Sequence, residues 1–325
     1  MIIMNERNTK LYSFLKKCEI PPNESYFWLV LNILFNVFLV LLGRCLMQII
    51  DSGNKQDSQY VLMSTKNIGD LPLLYRNLDE LKNENNFSDV TIIADKMFIK
   101  PLQALEINNF KIVPFWVIMA LDKIVQLYPD KYSNIIMSQP WYFFCMKNIN
   151  TNALFRSLPN HISIETIQKL FVRPEMHGKS VILSPYEQTA SIYGLELLPL
   201  DFWNKLALSL KQKGFFVFTN CNGKTEKPIG GTIVFFPKMG ELAGAVEYAG
   251  YCVSMRSGFA DWISSANLKR EVLLYPTRRY FEYYSIKMLW GKDSVLEFIY
   301  GESNKNNDEI VEMIVEYFSN EDDIA

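Results

Sequence analysis

The stretch Val253-Ser-Met-Arg-Ser-Gly-Phe-Ala-Asp-Trp262 decides the fold class of this chain. The apolar run that leads into it, Gly250-Tyr-Cys-Val253, predicts a short buried strand, and a helical pattern follows over 259–266. A strand that turns through Ser-Gly into a helix presents backbone N–H groups at the helix start, where phosphate commonly binds. Arg256 adds a fork of donors suited to phosphate oxygens. A plain helix N-cap beside a surface arginine remains an alternative interpretation.

Strands and helices alternate on both sides of this stretch. On the N-terminal side, strands are predicted at 60–64, 90–94, 111–115 and 134–137, with helices at 71–83 and 117–127. From residue 179 onward, strands are predicted at 179–184, 215–218, 231–236 and 271–275, with helices at 201–213, 239–248 and 308–318. Such alternation predicts parallel sheets with helices on both faces.

The two alternating series predict two Rossmann-like domains, and a length of 325 residues agrees with that number. The expected division is a helical N-terminal segment at 1–58, an acceptor domain at 59–165, a nucleotide-sugar donor domain at 166–305, and a C-terminal helix with an acidic tail at 306–325. The chemistry behind the names acceptor and donor comes from the resemblance described below.

Composition excludes several classes of protein. The net charge of −2 gives no sign of the basic face of a nucleic-acid binder. The five cysteines are odd in number and form no CxxC, so a reducing, cytoplasmic setting is expected. His161 and His177 have no neighbouring cysteines, and no Asp-x-Asp occurs, so we expect neither a bound metal nor another cofactor.

Familiar nucleotide-binding and hydrolase motifs are missing. Asn222-Gly-Lys-Thr225 resembles the end of a P-loop, but Phe218 stands where the first glycine belongs and no helical pattern follows. Neither GxGxxG nor GxSxG occurs, which argues against a nicotinamide enzyme and against an α/β-hydrolase.

Two motifs in the right order resemble the heptosyltransferase-like glycosyltransferases. Asn67-Ile-Gly-Asp70, on the first strand-to-helix turn, is similar to the Gly-Asp signature of that family. Met239-Gly-Glu-Leu-Ala243, followed by Val253-Ser-Met-Arg-Ser-Gly258, is similar to its donor-site pattern. The resemblance covers roughly 60–300 and implies the α/β fold called GT-B, in which two Rossmann-like domains face a cleft.

The resemblance also implies roles for individual residues. Asp70 would be the general base on the acceptor hydroxyl, with Asn67 and Gly69 beside it, although an N-cap role for Asp70 is the alternative. The residues implied on the donor side are Ser184, Thr219, Asn220, Glu241, Arg256, Ser257 and Gly258. Ser257 and Gly258 would bind the pyrophosphate, and Glu241 the ribose.

The chain departs from the family pattern at two positions. Arg256 stands where the family usually has Asp, and Asp261 stands where it often has His. We expect Arg256 to stabilise the leaving diphosphate. The alternative interpretation is a divergent, surface-polysaccharide type of this family with a different donor.

The expected function is that of a metal-independent, inverting glycosyltransferase of bacterial surface polysaccharide or capsule synthesis. Its partners would be a nucleotide-sugar donor and a glycan or lipid-linked glycan acceptor, with no nucleic acid. Two alternatives stay open: a non-catalytic scaffold subunit of GT-B fold, and a nucleotide-sugar epimerase.

An apolar run at 26–42 makes membrane contact a further question. Its length is close to the ~20 residues that span a bilayer. Asn32, Asn36 and Gly43 fall on one face at helical spacing, and that face is suited to packing against protein. Three placements are open: a spanning helix, a helix on the inner surface of the cell membrane, and a helix buried in the fold.

Overall fold

The computed structural model describes residues 26–51, 58–64, 68–79, 89–132, 134–137, 156–186, 196–223 and 225–320. Asn67 and residues 1–25 of the predicted helical segment lie outside these residues. Contacts divide the chain into two compact units. The helical unit comprises Met1–Asn54 with Trp116–Ser133, and the sheet unit comprises Lys55–Phe115 with Asn134–Ala325.

The first sheet of the sheet unit is parallel and has the strand order β3-β2-β1-β4. Its strands are β1 (Ser58–Leu62), β2 (Asp89–Ala94), β3 (Phe110–Ile112) and β4 (Ile135–Met137), which confirms the predicted strands within a few residues. Two helices follow its strand ends: α2 (Asp70–Arg76), after β1, and α3 (Ile99–Ala104), which comes after β2 and the 3₁₀ turn Lys96–Phe98. Val61, Ile92 and Ala94 share one buried cluster with Leu71, Leu74 and Leu102 of these helices.

The second sheet is also parallel and has the strand order β10-β9-β8-β5-β6-β7. Its strands are β5 (Ser180–Ser184), β6 (Phe216–Asn220), β7 (Ile233–Phe235), β8 (Gly250–Met255), β9 (Arg270–Tyr275) and β10 (Val295–Ile299). The last of these was not predicted. The apolar run that precedes the Ser-Gly turn therefore lies near the middle of the sheet, as a strand buried between β5 and β9.

Helices cover both faces of the second sheet, which is why its central strands β5 and β8 are largely apolar. Val181 and Leu183 pack on α6 (Leu200–Gln212) and α11 (Asn307–Ser319). Ile182 and Cys252 face the other way, toward α7 (Leu242–Ala249). The other helices of the sheet unit are α5 (Ile164–Leu170), α8 (Gly258–Trp262), α9 (Arg278–Tyr284) and α10 (Ile286–Trp290).

Several predicted helix boundaries were wrong. The helix after the Ser-Gly turn, α8, has only five residues and does not reach residue 266. The helix predicted from residue 201 begins at Leu200 with Pro199 as its N-cap, and Asp201 in its first turn pairs with Lys205. The helices α5, α9 and α10 were not predicted from the pattern.

The helical unit contains α1 (Tyr26–Asp51) and α4 (Phe115–Leu127, of which Trp116 onward belongs to this unit). Gly43 is buried against α4: a Cβ added at Gly43 would lie 2.5 Å from the carbonyl oxygen of Ala120. The opposite side of α1 exposes large apolar side chains, among them Leu34, Val37, Phe38 and Leu41. Packing of the face that carries Asn36 and Gly43 thus agrees with the sequence pattern. Among the described residues, no helix has the length and apolarity needed to span a membrane.

We predict that Gly43→Ala destabilises the helical unit. Replacing Gly by Ala inside a helix normally gains up to ~1 kcal/mol. Here the methyl group would press on the Ala120 carbonyl, and overpacking of this kind costs roughly 1–3 kcal/mol. Thermal unfolding should therefore show a lower midpoint, whereas Cys45→Ala, at an exposed position of the same helix, should leave it nearly unchanged. A midpoint that rises in Gly43→Ala would contradict the close contact.

Candidate functional site

A cavity of about 1130 Å³ lies between the two sheets of the sheet unit. In the first sheet, β1 has β2 on one side and β4 on the other; in the second, β5 lies between β6 and β8. The strand order therefore reverses next to β1 and next to β5, and ligands of open α/β sheets bind at such points. The segments that follow β1, β5 and β8 all reach the cavity, through Gly69, Tyr186 and Ser257.

Residues from both sheets line the cavity. From the side of the first sheet, these include Ile68, Gly69, Met97, Lys100, Gln103 and Glu106. From the side of the second sheet, they include Tyr186, Asn220, Lys238, Glu241, Ser257, Gly258, Phe259 and Trp262, and His161 joins them from the segment before α5.

On the first-sheet side, α2 begins at Asp70, and Gly69 is the N-cap residue. The N-cap role considered for Asp70 is therefore wrong: Asp70 occupies the first turn of the helix. Its side chain is half-buried, and it directly follows Gly69, which lines the cavity. Asp70 thus lies next to the cavity wall, on a helix whose start is fixed by the buried Leu71.

On the second-sheet side, the turn after β8 brings Ser257 and Gly258 to the cavity. Ser257 is extended and forms the N-cap of α8, which begins at Gly258. The Ser257 hydroxyl oxygen is buried and makes no hydrogen bond within the described part of the chain. An unmatched buried hydroxyl costs roughly 1–3 kcal/mol, so a polar partner supplied at this turn would be favourable.

Arg256 does not belong to the cavity lining. Its side chain is 3% exposed, and Nη1 and Nη2 donate to the two carboxylate oxygens of Asp261 at 2.9 and 2.8 Å. Its Nε donates to the Tyr284 carbonyl at 2.6 Å. The guanidinium of Arg256 therefore donates its paired hydrogen bonds to a carboxylate inside the protein. The direct contact with a diphosphate that was expected of Arg256 is not seen. Burial raises the pKa of Asp261, and the charge of Arg256 opposes that rise.

The three polar residues predicted at the ends of β5 and β6 differ in their position. Asn220 lines the cavity, and its Nδ2 donates to Ser184 Oγ at 3.0 Å. Ser184 is itself buried and therefore acts on the cavity through Asn220. Thr219 is fully buried and accepts a hydrogen bond from the Ile229 N–H at 3.1 Å, which fastens the loop before β7.

Glu241 lines the cavity from the 3₁₀ turn Met239–Glu241, just before α7. Its side chain is largely buried and accepts a hydrogen bond from the hydroxyl of Thr166. Burial favours the neutral acid, but hydrogen bonds from Thr166 and Ser163 and the charge of Lys238 together outweigh it, so the pKa of Glu241 lies below its usual value. The cavity therefore keeps a fixed carboxylate at neutral pH, able to accept hydrogen bonds from the hydroxyl groups of a ligand.

Sequence reasoning missed the cations of the cavity. Lys100 and Lys238 are exposed and line the cavity from the sides of the first and the second sheet. Each lysine is next to a proline at the start of a new element, in Lys100-Pro101 and Pro237-Lys238. A single lysine at the start of an element adds nothing to the helical or strand periodicity of the sequence. Only the neighbouring prolines indicate that a new element begins there.

We predict that Thr166→Val destabilises the protein in a pH-dependent way. Because the folded-state pKa of Glu241 lies below its unfolded value, the carboxylate adds stability above ~pH 4.3, which is lost as pH falls through the folded pKa. Removal of the Thr166 hydroxyl should cost roughly 1.5–3 kcal/mol at neutral pH and clearly less in acid. Thermal midpoints between about pH 3.5 and 7 test this, with Thr166→Ser as the control that keeps the hydroxyl. A loss that is equal at both ends of the range would show that the hydrogen bond does not favour the charged form.

No protein-family model and no curated protein matches this chain. Among solved structures, the ADP-heptose LPS heptosyltransferase II of E. coli is similar, with 11% identity and a TM-score of 0.52, over 79% of this chain and 97% of that one. A family 9 glycosyl transferase from Veillonella parvula has 13% identity and a TM-score of 0.49, over 79% and 90% of the two chains. The E. coli heptosyltransferase WaaC with ADP has 11% identity and a TM-score of 0.45, over 80% and 99%.

The match to heptosyltransferase II is a similarity of fold. Two parallel Rossmann-like sheets with the cavity between them agree with it. The fold predicted from the Gly-Asp and Ser-Gly motifs is confirmed: the chain is an α/β protein of GT-B fold, similar in architecture to the heptosyltransferases.

Proposed function

We propose that this protein is a glycosyltransferase that transfers a sugar from a nucleotide-sugar donor to a hydroxyl group of a glycan acceptor. The observation that carries the proposal is the cavity at the switch points of both sheets, lined by Gly69 from one and by Ser257 and Gly258 from the other. Its volume of about 1130 Å³ is slightly above the range of roughly 300–1,000 Å³ that is usual for a single small-molecule ligand and leaves room for two substrates.

Asp70 is the general base of this proposal. As the acceptor hydroxyl oxygen forms its bond to the anomeric carbon, Asp70 takes the hydroxyl proton. The bond between that carbon and the diphosphate oxygen breaks, and its electron pair leaves with the nucleoside diphosphate. Attack from the side opposite the leaving group inverts the anomeric centre.

The leaving diphosphate is the group whose charge grows during this step. Ser257 and Gly258 offer backbone N–H groups and the unmatched Ser257 hydroxyl, and Lys100 and Lys238 bring two positive charges from opposite sides of the cavity. Cations and N–H donors aimed at developing negative charge lower the barrier without a metal ion. We therefore propose a metal-independent reaction, with the first sheet on the acceptor side and the second on the donor side. Glu241, a carboxylate at neutral pH, would accept hydrogen bonds from the ribose.

We predict that one nucleoside diphosphate raises the thermal midpoint of the protein and does so equally in EDTA. A ligand at ~100 times its dissociation constant adds about 2.7 kcal/mol to the stability. The panel is UDP, GDP, ADP, CDP, dTDP and CMP. The corresponding nucleotide sugar is then used to measure transfer or slow donor hydrolysis.

In the same assay, Asp70→Asn should abolish turnover and leave nucleotide affinity within about twofold, because the base acts on the acceptor. Asp201→Asn, at an exposed first-turn position of α6, is the matched control and should keep full activity. Nucleotide binding without any turnover in the wild type would favour the scaffold subunit. Epimerised donor without an acceptor would favour the epimerase.

We also propose that the exposed side of α1 holds the protein at the inner surface of the cell membrane, near a lipid-linked acceptor of surface polysaccharide synthesis. Leu34, Phe38 and Leu41 lie along this side with 61%, 57% and 56% of their surface exposed. Arg44 follows them at the C-terminal end of the stripe and stacks on Tyr128 of the same unit. An apolar face with a flanking cation is typical of helices that lie in the membrane interface.

We predict that the protein sediments with vesicles that contain phosphatidylglycerol and that Phe38→Glu reduces the bound fraction at least about tenfold. The substitution removes an apolar contact worth roughly 1.5–3 kcal/mol and adds a charge of the same sign as the lipid. Leu208→Glu, at an equally exposed apolar position on α6 of the sheet unit, should bind like the wild type. Equal binding by both variants would exclude the α1 face as the contact.

A further inference from the structure

We propose that Arg76, Asp261 and Trp290 are positioning residues that hold the turn carrying Asp70 against the Ser257-Gly258 turn before any substrate binds. The inference deepens the proposed function and rests on it for the roles of the two turns. The structural part, a direct link between α2 and α8, stands on contacts within the sheet unit.

The helices α2 and α8 are short, and each begins at the cavity. The first runs from Asp70 to Arg76, and the second from Gly258 to Trp262. Trp262, at the end of α8, is 6% exposed and belongs to the buried cluster of the first sheet. The helix α8, which follows the proposed phosphate-binding turn, thus inserts an aromatic side chain into the core of the first sheet.

Trp290, at the end of α10, connects the C-terminal parts of the two helices. Its indole N–H donates to the carboxylate of Asp261 at 3.1 Å. The guanidinium of Arg76 lies 4.9 Å from the centre of its ring, and Arg76 Nη1 also donates to the Leu289 carbonyl at 2.7 Å. One tryptophan therefore contacts the last residue of α2 and the fourth residue of α8.

The link continues to the Ser-Gly turn itself. Asp261 receives two hydrogen bonds from Arg256, and Arg256 Nη1 also donates to the carbonyl of Ser257 at 2.7 Å. The rotation of α8 about its axis is set by Asp261, and the entry into the helix is set by Ser257. Four side chains, Arg76, Trp290, Asp261 and Arg256, thus form one continuous path from α2 to the turn.

A stabilising role alone does not explain this choice of residues. Buried ion pairs add little net stability, and apolar replacements of similar size are often as stable. What charged and hydrogen-bonded groups add is direction, because a bidentate pair permits only one orientation of the two side chains. In a transferase, a displacement of about 1 Å between base and donor can cost on the order of 100-fold in rate. We therefore assign the path to the spacing of the two turns.

The test compares three variants. Trp290→Phe keeps an aromatic ring and loses the N–H to Asp261, and Arg76→Lys keeps the charge and loses the planar fork. Both should lower kcat by roughly 10- to 100-fold while the donor KM and nucleotide affinity stay within about twofold. Arg156→Lys is the matched control: Arg156 makes a similar bidentate pair with Asp79 and stacks on Tyr75 of α2, but its contacts within the described part of the chain lie on or just after α2 and do not reach α8 or α10. It should keep the wild-type kcat.

Amide hydrogen exchange without ligand tests the structural link independently of turnover. The link predicts faster exchange of α2 and α8 together in Trp290→Phe, and no such change in α8 in Arg156→Lys. If α2 and α8 exchange faster in Trp290→Phe but the wild type turns over no nucleotide sugar, the structural link between the two helices is supported and the proposed function is wrong. If exchange in α2 and α8 is unchanged in Trp290→Phe, or if kcat is unchanged in an active enzyme, the positioning role is overturned. A fall in kcat that Arg156→Lys matches overturns it as well.

Discussion

The buried ion pair of Arg256 and Asp261 is the interaction on which the cavity wall depends. Arg256 follows the carboxyl end of β8, and Asp261 lies on α8, a five-residue helix with too few backbone hydrogen bonds to orient itself. The guanidinium meets the carboxylate with two bonds and reaches the Tyr284 carbonyl with a third. The turn before α8 is thereby fixed from inside the protein, and its backbone faces the cavity.

This pair also explains the two departures from the heptosyltransferase-like pattern together. An arginine in place of the usual aspartate, or an aspartate in place of the histidine, would by itself leave a buried charge unmatched. In this chain the two match each other, since Arg256 donates to Asp261. The two positions are five residues apart across a strand-to-helix turn, where neither helical nor strand spacing predicts a contact. The partnership therefore could not be read from the sequence.

Much of the fold could be predicted because parallel strands buried on both faces are largely apolar, without the alternation of a half-exposed strand. Gly250–Met255 and Ser180–Ser184 show this pattern, and the polar residues Ser257 and Asn220 at strand ends marked the cavity.

β10 was missed because Glu297 interrupts its apolar pattern. In the structure, that carboxylate accepts hydrogen bonds from Ser285 and the Ile286 N–H, which belong to a different element. Tertiary partners of this kind override a local pattern.

The helical unit is built from two separate parts of the sequence, since α4 follows β3 and precedes β4 along the chain. Its contact between Gly43 and Ala120 is therefore made by segments that are distant along the chain. Truncation before residue 55 would leave α4 in place and expose the surface that α1 covers. The apolar N-terminal helix is thus an integral layer of its unit, so a chain shortened at this point to improve solubility would also lose the packing of α1 on α4.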